Sequence, residues 1–185
     1  MNKLFKGARR FSGHEYPKYQ RVFEDLKDRQ NPHTLFITCS DSRIQPGLIT
    51  QTLPGELFVI RNVANIVPPY DSPQNHPDTL SSIEYAVQVL EVDNIVICGH
   101  SNCGGCRALS APDDFIDSLP HTKQWITWAK QARIASEKED EELTGQQKAQ
   151  KVEQENVKLQ IMHLRSHPFI LEREKDNRIS IYGWY

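Results

Sequence analysis

The chain has 185 residues, with 22 Lys+Arg against 24 Asp+Glu and a formal net charge of −2. That length suits one domain able to bury a core without disulfide staples, and the near-balanced charge argues against a nucleic-acid-binding domain, which is usually strongly basic. No run approaches the roughly 18 apolar residues of a membrane helix, and the N-terminal MNKLFKGARRF is positive without the apolar stretch of a signal peptide, so the expectation is a cytoplasmic protein with neither a nucleic-acid nor a membrane partner.

Along the chain, Ser12–Arg29 reads as a helical arm. Tyr19, Val22, Phe23 and Leu26 recur at three- and four-residue spacing, an apolar stripe for its own core or for a partner subunit. Asn31-Pro32 breaks the chain. His33–Cys39 (HTLFITC) is a short apolar, β-branched run and reads as a buried strand, with Ser40-Asp41-Ser42-Arg43 as the loop at its C-terminal end. Leu57–Arg61 (LFVIR) reads as a second strand, and Val67 to Asp78 as a Pro-rich loop. Thr79–Leu90 has the period of a helix, with Asp78 or Thr79 as its N-cap. Asn94–Cys98 (NIVIC) is the third strand, Gly99–Gly105 a loop, and a helix opens near Gly104. The remainder is helical and charged: Leu119–Ile134, a solvated acidic run over Ser136–Gln146, a helix over Gln147–Arg165 and a short one from His167-Pro168 to Glu174. Arg178–Tyr182 (RISIY) alternates like a strand.

Strands alternating with helices predict an α/β fold: a central, mostly parallel sheet flanked by helices, with an N-terminal helical arm and a helical C-terminal part. In such sheets ligands bind beyond the carboxyl ends of the strands. Cys39-Ser40-Asp41-Ser42-Arg43 and His100-Ser101-Asn102-Cys103 both fall at such ends. Three of the four Cys, Cys98, Cys103 and Cys106, crowd around His100, which in an intracellular chain suggests metal or thiol chemistry.

A catalytic zinc takes three protein ligands and keeps one position open. His100 and Cys103 have H-x-x-C spacing and Cys39 arrives from another strand end, so the three make a candidate Cys₂His site, with water or Asp41 as fourth ligand. Two thiolates leave the metal formally neutral, so a bound water needs help to ionise. Asp41, oriented by a bidentate Arg43, supplies that help. Cys103-Gly104-Gly105-Cys106 is also a C-x-x-C, so a thiol-disulfide oxidoreductase stays open as an alternative, as does a non-catalytic zinc module. Cys98, inside a strand, reads as a core residue, and the other six His, at 14, 33, 76, 121, 163 and 167, as surface or local hydrogen-bonding groups.

CSDSR (Cys39–Arg43) followed by GHSNCGG (Gly99–Gly105) resembles the paired signature of the β-class carbonic anhydrases of bacterial type. PGELFVIRNVAN (Pro54–Asn65), VPPYD (Val67–Asp71), SIEYAV (Ser82–Val87) and IYGW (Ile181–Trp184) extend the resemblance along the chain. It implies reversible hydration of CO₂ to bicarbonate and a proton, by zinc-bound hydroxide oriented by the Asp41–Arg43 dyad. One zinc per subunit is implied on Cys39, His100 and Cys103. It further implies substrate contacts from Gln30 and the Gly104 amide, and a CO₂ pocket walled by Phe58, Val63 and Tyr85, with Tyr85 given by a neighbouring subunit. A homodimer or higher homo-oligomer clasped by the N-terminal arm is implied. So is one domain over 1–185: the arm 1–30, the zinc-site core 31–110, and a helical region with a final strand over 111–185, shortened at its C-terminus relative to the family. An inhibitory bicarbonate site in some members uses a Trp where this chain has Phe36, an Arg that is present as Arg61, and a Tyr near the C-terminus. The expectation is therefore an open site with Asp41 held by Arg43. Within the same fold, hydrolysis of CS₂ or COS is the rival activity.

Overall fold

The structure, a computed structural model, describes residues 2–72, 76–137 and 143–185. Residues 73–75 of the expected Pro-rich loop and 138–142 of the expected acidic run lie outside the described residues. The β-branched and apolar runs form a four-stranded sheet: β1 (Thr34–Cys39), β2 (Leu57–Asn62), β3 (Asn94–Cys98) and β4 (Ser180–Trp184), in the order β2-β1-β3-β4. Every pairing is parallel, with Cys39 opposite Asn62, Thr38 opposite Cys98, and Cys98 opposite Trp184. The carboxyl ends of all four strands therefore share one edge. The chain leaves β1 for β2 on one side and leaves β3 for β4 on the other. The crevice between β1 and β3 is thus the switch point where α/β folds bind ligands.

β1 is buried along its whole length, as expected of a strand covered on both faces. Side chains alternate across it. Leu35 and Ile37 join Ile95 and Ile97 in the main core, with Ile83 and Val87 from one crossover and Val157, Leu164 and Ile170 from another. Phe36, Val96 and Cys98 form a smaller cluster on the other face. Trp184 meets Phe36 edge-on with ring centroids 5.7 Å apart.

The helices start and stop where local chemistry allows. The arm is helical from further upstream than its stripe suggests: α1 (Asn2–Arg10), a π-helical turn (Phe11–Glu15) and α2 (Tyr16–Asp25), none of it fully buried. Leu26, just after α2, lies directly over Gly55, which at φ +94° has no Cβ to obstruct it. After α3 (Pro46–Thr50) and β2, α4 begins at Pro77 with His76 as N-cap, so neither Asp78 nor Thr79 caps it. The fixed φ and missing N–H of Pro77 suit the first helical position and start the helix earlier. α4 ends at Glu84 and continues as a π-helical turn, Tyr85–Val89. Beyond β3 come α5 (Gly104–Ala108), α6 (Asp113–Asp117), α7 (Pro120–Ile126), α8 (Lys130–Glu137), α9 (Gly145–Arg165) and α10 (Pro168–Lys175). Thr144 and Gln147 form a reciprocal capping box that fixes the start of α9.

α9 carries a buried polar stripe, Glu153, Asn156 and Gln160, at the spacing of one helix face. Asn156 donates to Ala64 O at 2.9 Å, and Gln160 accepts from Val67 N at 2.8 Å and donates to Asn156 Oδ1 at 2.8 Å. The stripe fastens the segment after β2, where Ala64 and Asn65 both hold positive φ, 63° and 47°. Two consecutive left-handed L-residues are strained, and these bonds hold them in place. Asn156→Ala leaves buried partners unsatisfied. It is expected to destabilise by about 2 kcal/mol, lowering the melting temperature by roughly 4–8 °C for a chain of this size. A thermal scan with an unshifted midpoint would contradict this.

Candidate metal centre

The register puts Cys39 at the last position of β1, and the loop after β3 carries His100 and Cys103 beside it. One ligand atom from each of Cys39, His100 and Cys103 lies within 4.8 Å of the others, and all three residues are buried. The Cys39 and Cys103 sulfurs are 3.9 Å apart. His100 Nδ1 sits 3.0 Å from Ser101 O. That contact assigns the proton to Nδ1 and leaves Nε2 with a free lone pair. Nε2 is buried and has no hydrogen-bond partner among the described residues, a vacancy that buried polar atoms rarely tolerate.

Hydrogen bonding with Cys103, then burial, pushes the Cys39 thiol well above its ordinary range. Cys103 is pushed up to about 11, chiefly by its hydrogen bond with Cys106 and also by burial. Two thiols and an imidazole lone pair converging in a buried space match the tetrahedral S/N donor set of a thiophilic divalent cation, which binds thiols as thiolates. Such a group fits the residues present. A redox C-x-x-C works through a lowered thiol pKa and partial exposure, whereas Cys103 and Cys106 are 1% and 4% exposed.

Beside the cluster, Asp41 Oδ2 lies 4.0 Å from His100 Nε2. Arg43 grips Asp41 as a fork, Nε to Oδ1 at 2.9 Å and Nη2 to Oδ2 at 2.8 Å, with its backbone N–H also on Oδ1 at 3.0 Å. The guanidinium and the backbone N–H hold the Asp41 carboxyl far below the usual carboxylate range. Arg43 Nη2 also donates to Asn102 O at 3.0 Å, tying the two loops together. Arg61 on β2 donates to Cys39 O at 3.2 Å and to Asp41 O at 2.7 Å, so it braces the loop that presents both.

Gly104 opens α5 immediately after Cys103, and a Cβ there would meet nothing within 4 Å. At Gly105 a Cβ would meet Ala64 Cβ and Val63 Cγ1 at 2.8 Å each. Gly104→Ala is thus expected to fold with unchanged stability, and Gly105→Ala to lose roughly 1–3 kcal/mol through overpacking. Urea midpoints for the two variants check this, and equal midpoints would contradict it. Phe58 and Tyr85 pair with ring centroids 6.1 Å apart. Val63 and Tyr85 remain 39% and 43% exposed, and Gln30 is exposed in the segment between α2 and β1. One chain leaves these three open.

Sequence reasoning missed Glu153 and Tyr185. Glu153, 4% exposed, accepts the Cys103 N–H at 2.7 Å and the Tyr185 hydroxyl at 2.7 Å. A Glu on the apolar side of the α9 period was the available signal. Trp125, which donates to Val63 O at 2.9 Å, had none.

A parallel α/β sheet carries, at its switch point, a Cys-His-Cys group with the donor set of a metal site and a clamped carboxylate beside it. The family model described as carbonic anhydrase matches residues 34–185. Over 185 residues the chain is 42% identical to carbonic anhydrase of Pseudomonas aeruginosa, covering all of this chain and 82% of that protein. It is 39% identical to carbonic anhydrase of Helicobacter pylori, covering 99% of this chain and 84% of the relative. The solved structure of the β-carbonic anhydrase CcaA superposes with a TM-score of 0.93 at 34% identity, over 100% of this chain and 82% of that one. A tetrameric β-carbonic anhydrase of Sordaria macrospora gives 0.85 at 30% identity, over 98% and 89%. The chain belongs to the carbonic anhydrase family, in its bacterial-type β class. Among the described residues, no helix is long and apolar enough to cross a membrane.

Proposed function

We propose that this chain catalyses the reversible hydration of CO₂ to bicarbonate and a proton, with one zinc ion held by Cys39, His100 and Cys103. The observation that carries the reading is the convergence of those three donors within 4.8 Å, with the Arg43-clamped Asp41 carboxylate 4.0 Å from the unpartnered His100 Nε2. Bound there, zinc supplies a Lewis acid that brings the pKa of a water toward neutrality.

The chain's own residues do the rest. Ionised Asp41 accepts a hydrogen bond from the attacking oxygen and aims its lone pair, while Arg43 keeps the carboxylate from swinging into the metal position. CO₂ is small and apolar, so it needs a narrow hydrophobic slot beside that oxygen. Phe58, Val63 and Tyr85 are assigned to that slot. Negative charge develops on the substrate oxygens, and the Gly104 N–H and the Gln30 side-chain amide are the assigned donors. A second copy completes the slot, because Gln30, Val63 and Tyr85 are open in one chain. The arm offers it Leu4, Phe5 and Phe11, which are 79%, 66% and 47% exposed, so the proposed assembly is a homodimer or a multiple of it.

Stopped-flow hydration of CO₂ at about pH 8.5, run beside CS₂ hydrolysis on the same sample, tests the substrate. A fast CO₂ rate with negligible CS₂ turnover is expected. Turnover of CS₂ alone would overturn the assignment.

A further inference from the structure

The loop that carries His100 and Cys103 is flanked by two clefts. On one side lies a cavity of about 350 Å³ lined by Cys103, Cys106 and Arg107 among others, and on another side one of about 220 Å³ lined by Ser101, Asn102 and Tyr185. Glu153 lines both. Its two oxygens take one donor each, the Cys103 N–H on Oε1 and the Tyr185 O–H on Oε2, both at 2.7 Å. Burying a carboxylate is unfavourable unless it makes strong hydrogen bonds, and a hydrogen bond to a charged acceptor is about twice as strong as a neutral one. Burial, then the neighbouring carboxylate, pushes the Tyr185 hydroxyl up, so it stays a donor. Cys103 is the N-cap of α5, with φ −66° and ψ 120°. Its N–H therefore sets the turn that points Sγ at the cluster and launches the Gly104 amide.

We propose that Glu153, itself oriented by Tyr185, is a positioning residue that fixes Cys103 as a metal ligand from behind. This rests on the metal-centre reading above. Glu153 touches neither metal nor substrate; it acts through the Cys103 amide. Removing such an outer partner typically weakens metal binding by about 10–100-fold.

The test compares zinc-loaded wild type with Glu153→Gln, Glu153→Ala and Tyr185→Phe. Zinc release to excess chelator is followed, together with the thiolate-to-metal charge-transfer band after cobalt substitution. Glu153→Ala is expected to release zinc about 10–100-fold faster with a shifted band. Glu153→Gln keeps the acceptor for Cys103 N–H and is expected to stay within about 3-fold of wild type. Tyr185→Phe, which loses only a hydroxyl, falls between. Wild-type release rates in Tyr185→Phe and Glu153→Ala would overturn the proposal, as would a Glu153→Gln no better than Glu153→Ala. If Glu153→Ala does not fold, Tyr185→Phe decides. If wild type binds no zinc, the metal reading fails on its own. Exchange of the Cys103 amide in metal-free protein then still tests the hold. An acceleration of more than about 10-fold in Tyr185→Phe supports it, and an unchanged rate overturns it.

Discussion

Cys103→Ser is expected to take the protein from about one zinc per chain to nearly none and to reduce CO₂ hydration to the buffer rate. Cys103 is 1% exposed and its sulfur lies 3.9 Å from that of Cys39. A serine hydroxyl is a shorter and harder donor that does not ionise at neutral pH, so the remaining Cys39 and His100 leave a two-ligand site. The metal contributes several kcal/mol to transition-state stabilisation, which converts to a loss of about 10³-fold or more. Because Cys103 is buried in a pre-formed shell, the fold is expected to survive. Metal analysis, far-UV circular dichroism and stopped-flow on one preparation separate loss of metal from loss of structure. A Cys103→Ser protein with full zinc content and wild-type rate would contradict the ligand assignment.

Asp41→Asn is expected to keep zinc and lose roughly 10²–10⁴-fold in rate. Asn matches the shape of Asp41 but has one acceptor oxygen and an N–H₂ donor in place of the other, so the two-pronged fork from Arg43 at 2.9 and 2.8 Å is broken. The pH profile gives an independent check. Pairing with Arg43 depresses the folded pKa of Asp41. Its stabilising contribution is thus present above the unfolded carboxylate value of about 3.9, and is lost only as pH falls through the lower folded value. No Asp41 titration is expected in activity between about pH 6 and 9. Arg43→Leu removes the clamp, raises that pKa toward its ordinary value, and frees the carboxylate to turn into the metal position. A strong loss of rate with zinc retained is expected. An Arg43→Leu enzyme with wild-type rate and pH profile would contradict the dyad.

Much of this was legible in the sequence because its signals were local. The runs LFITC and NIVIC are short, β-branched and apolar, and β1 and β3 lie where those patterns put them. The fourth strand was harder. RISIY alternates, but the strand is Ser180–Trp184, because pairing with β3 sets the register. The N-terminal helix extends back to Asn2, where Leu4, Ala8 and Phe11 do stand at helical spacing; that stripe was passed over, and within one chain none of α1 is buried. The convergence of Cys39, His100 and Cys103 was readable because H-x-x-C and C-x-D-x-R sit at strand ends, and fold rules bring such ends together. Glu153 was legible only as a Glu on the apolar side of the α9 period; what it holds was not, because its partner, the Cys103 amide, is 50 residues away and a backbone group leaves no mark in sequence. Gln30, Val63 and Tyr85, proposed above to contact substrate, are exposed in one chain, so neither pattern nor burial singles them out.

The most direct test is a zinc titration of metal-free protein with the CO₂ hydration rate read at each addition. The rate is expected to rise in proportion to bound zinc and to saturate at one ion per chain. A rate independent of zinc, or one zinc bound per chain with no hydration above buffer, would contradict the assignment of Cys39, His100 and Cys103 as the centre of the reaction.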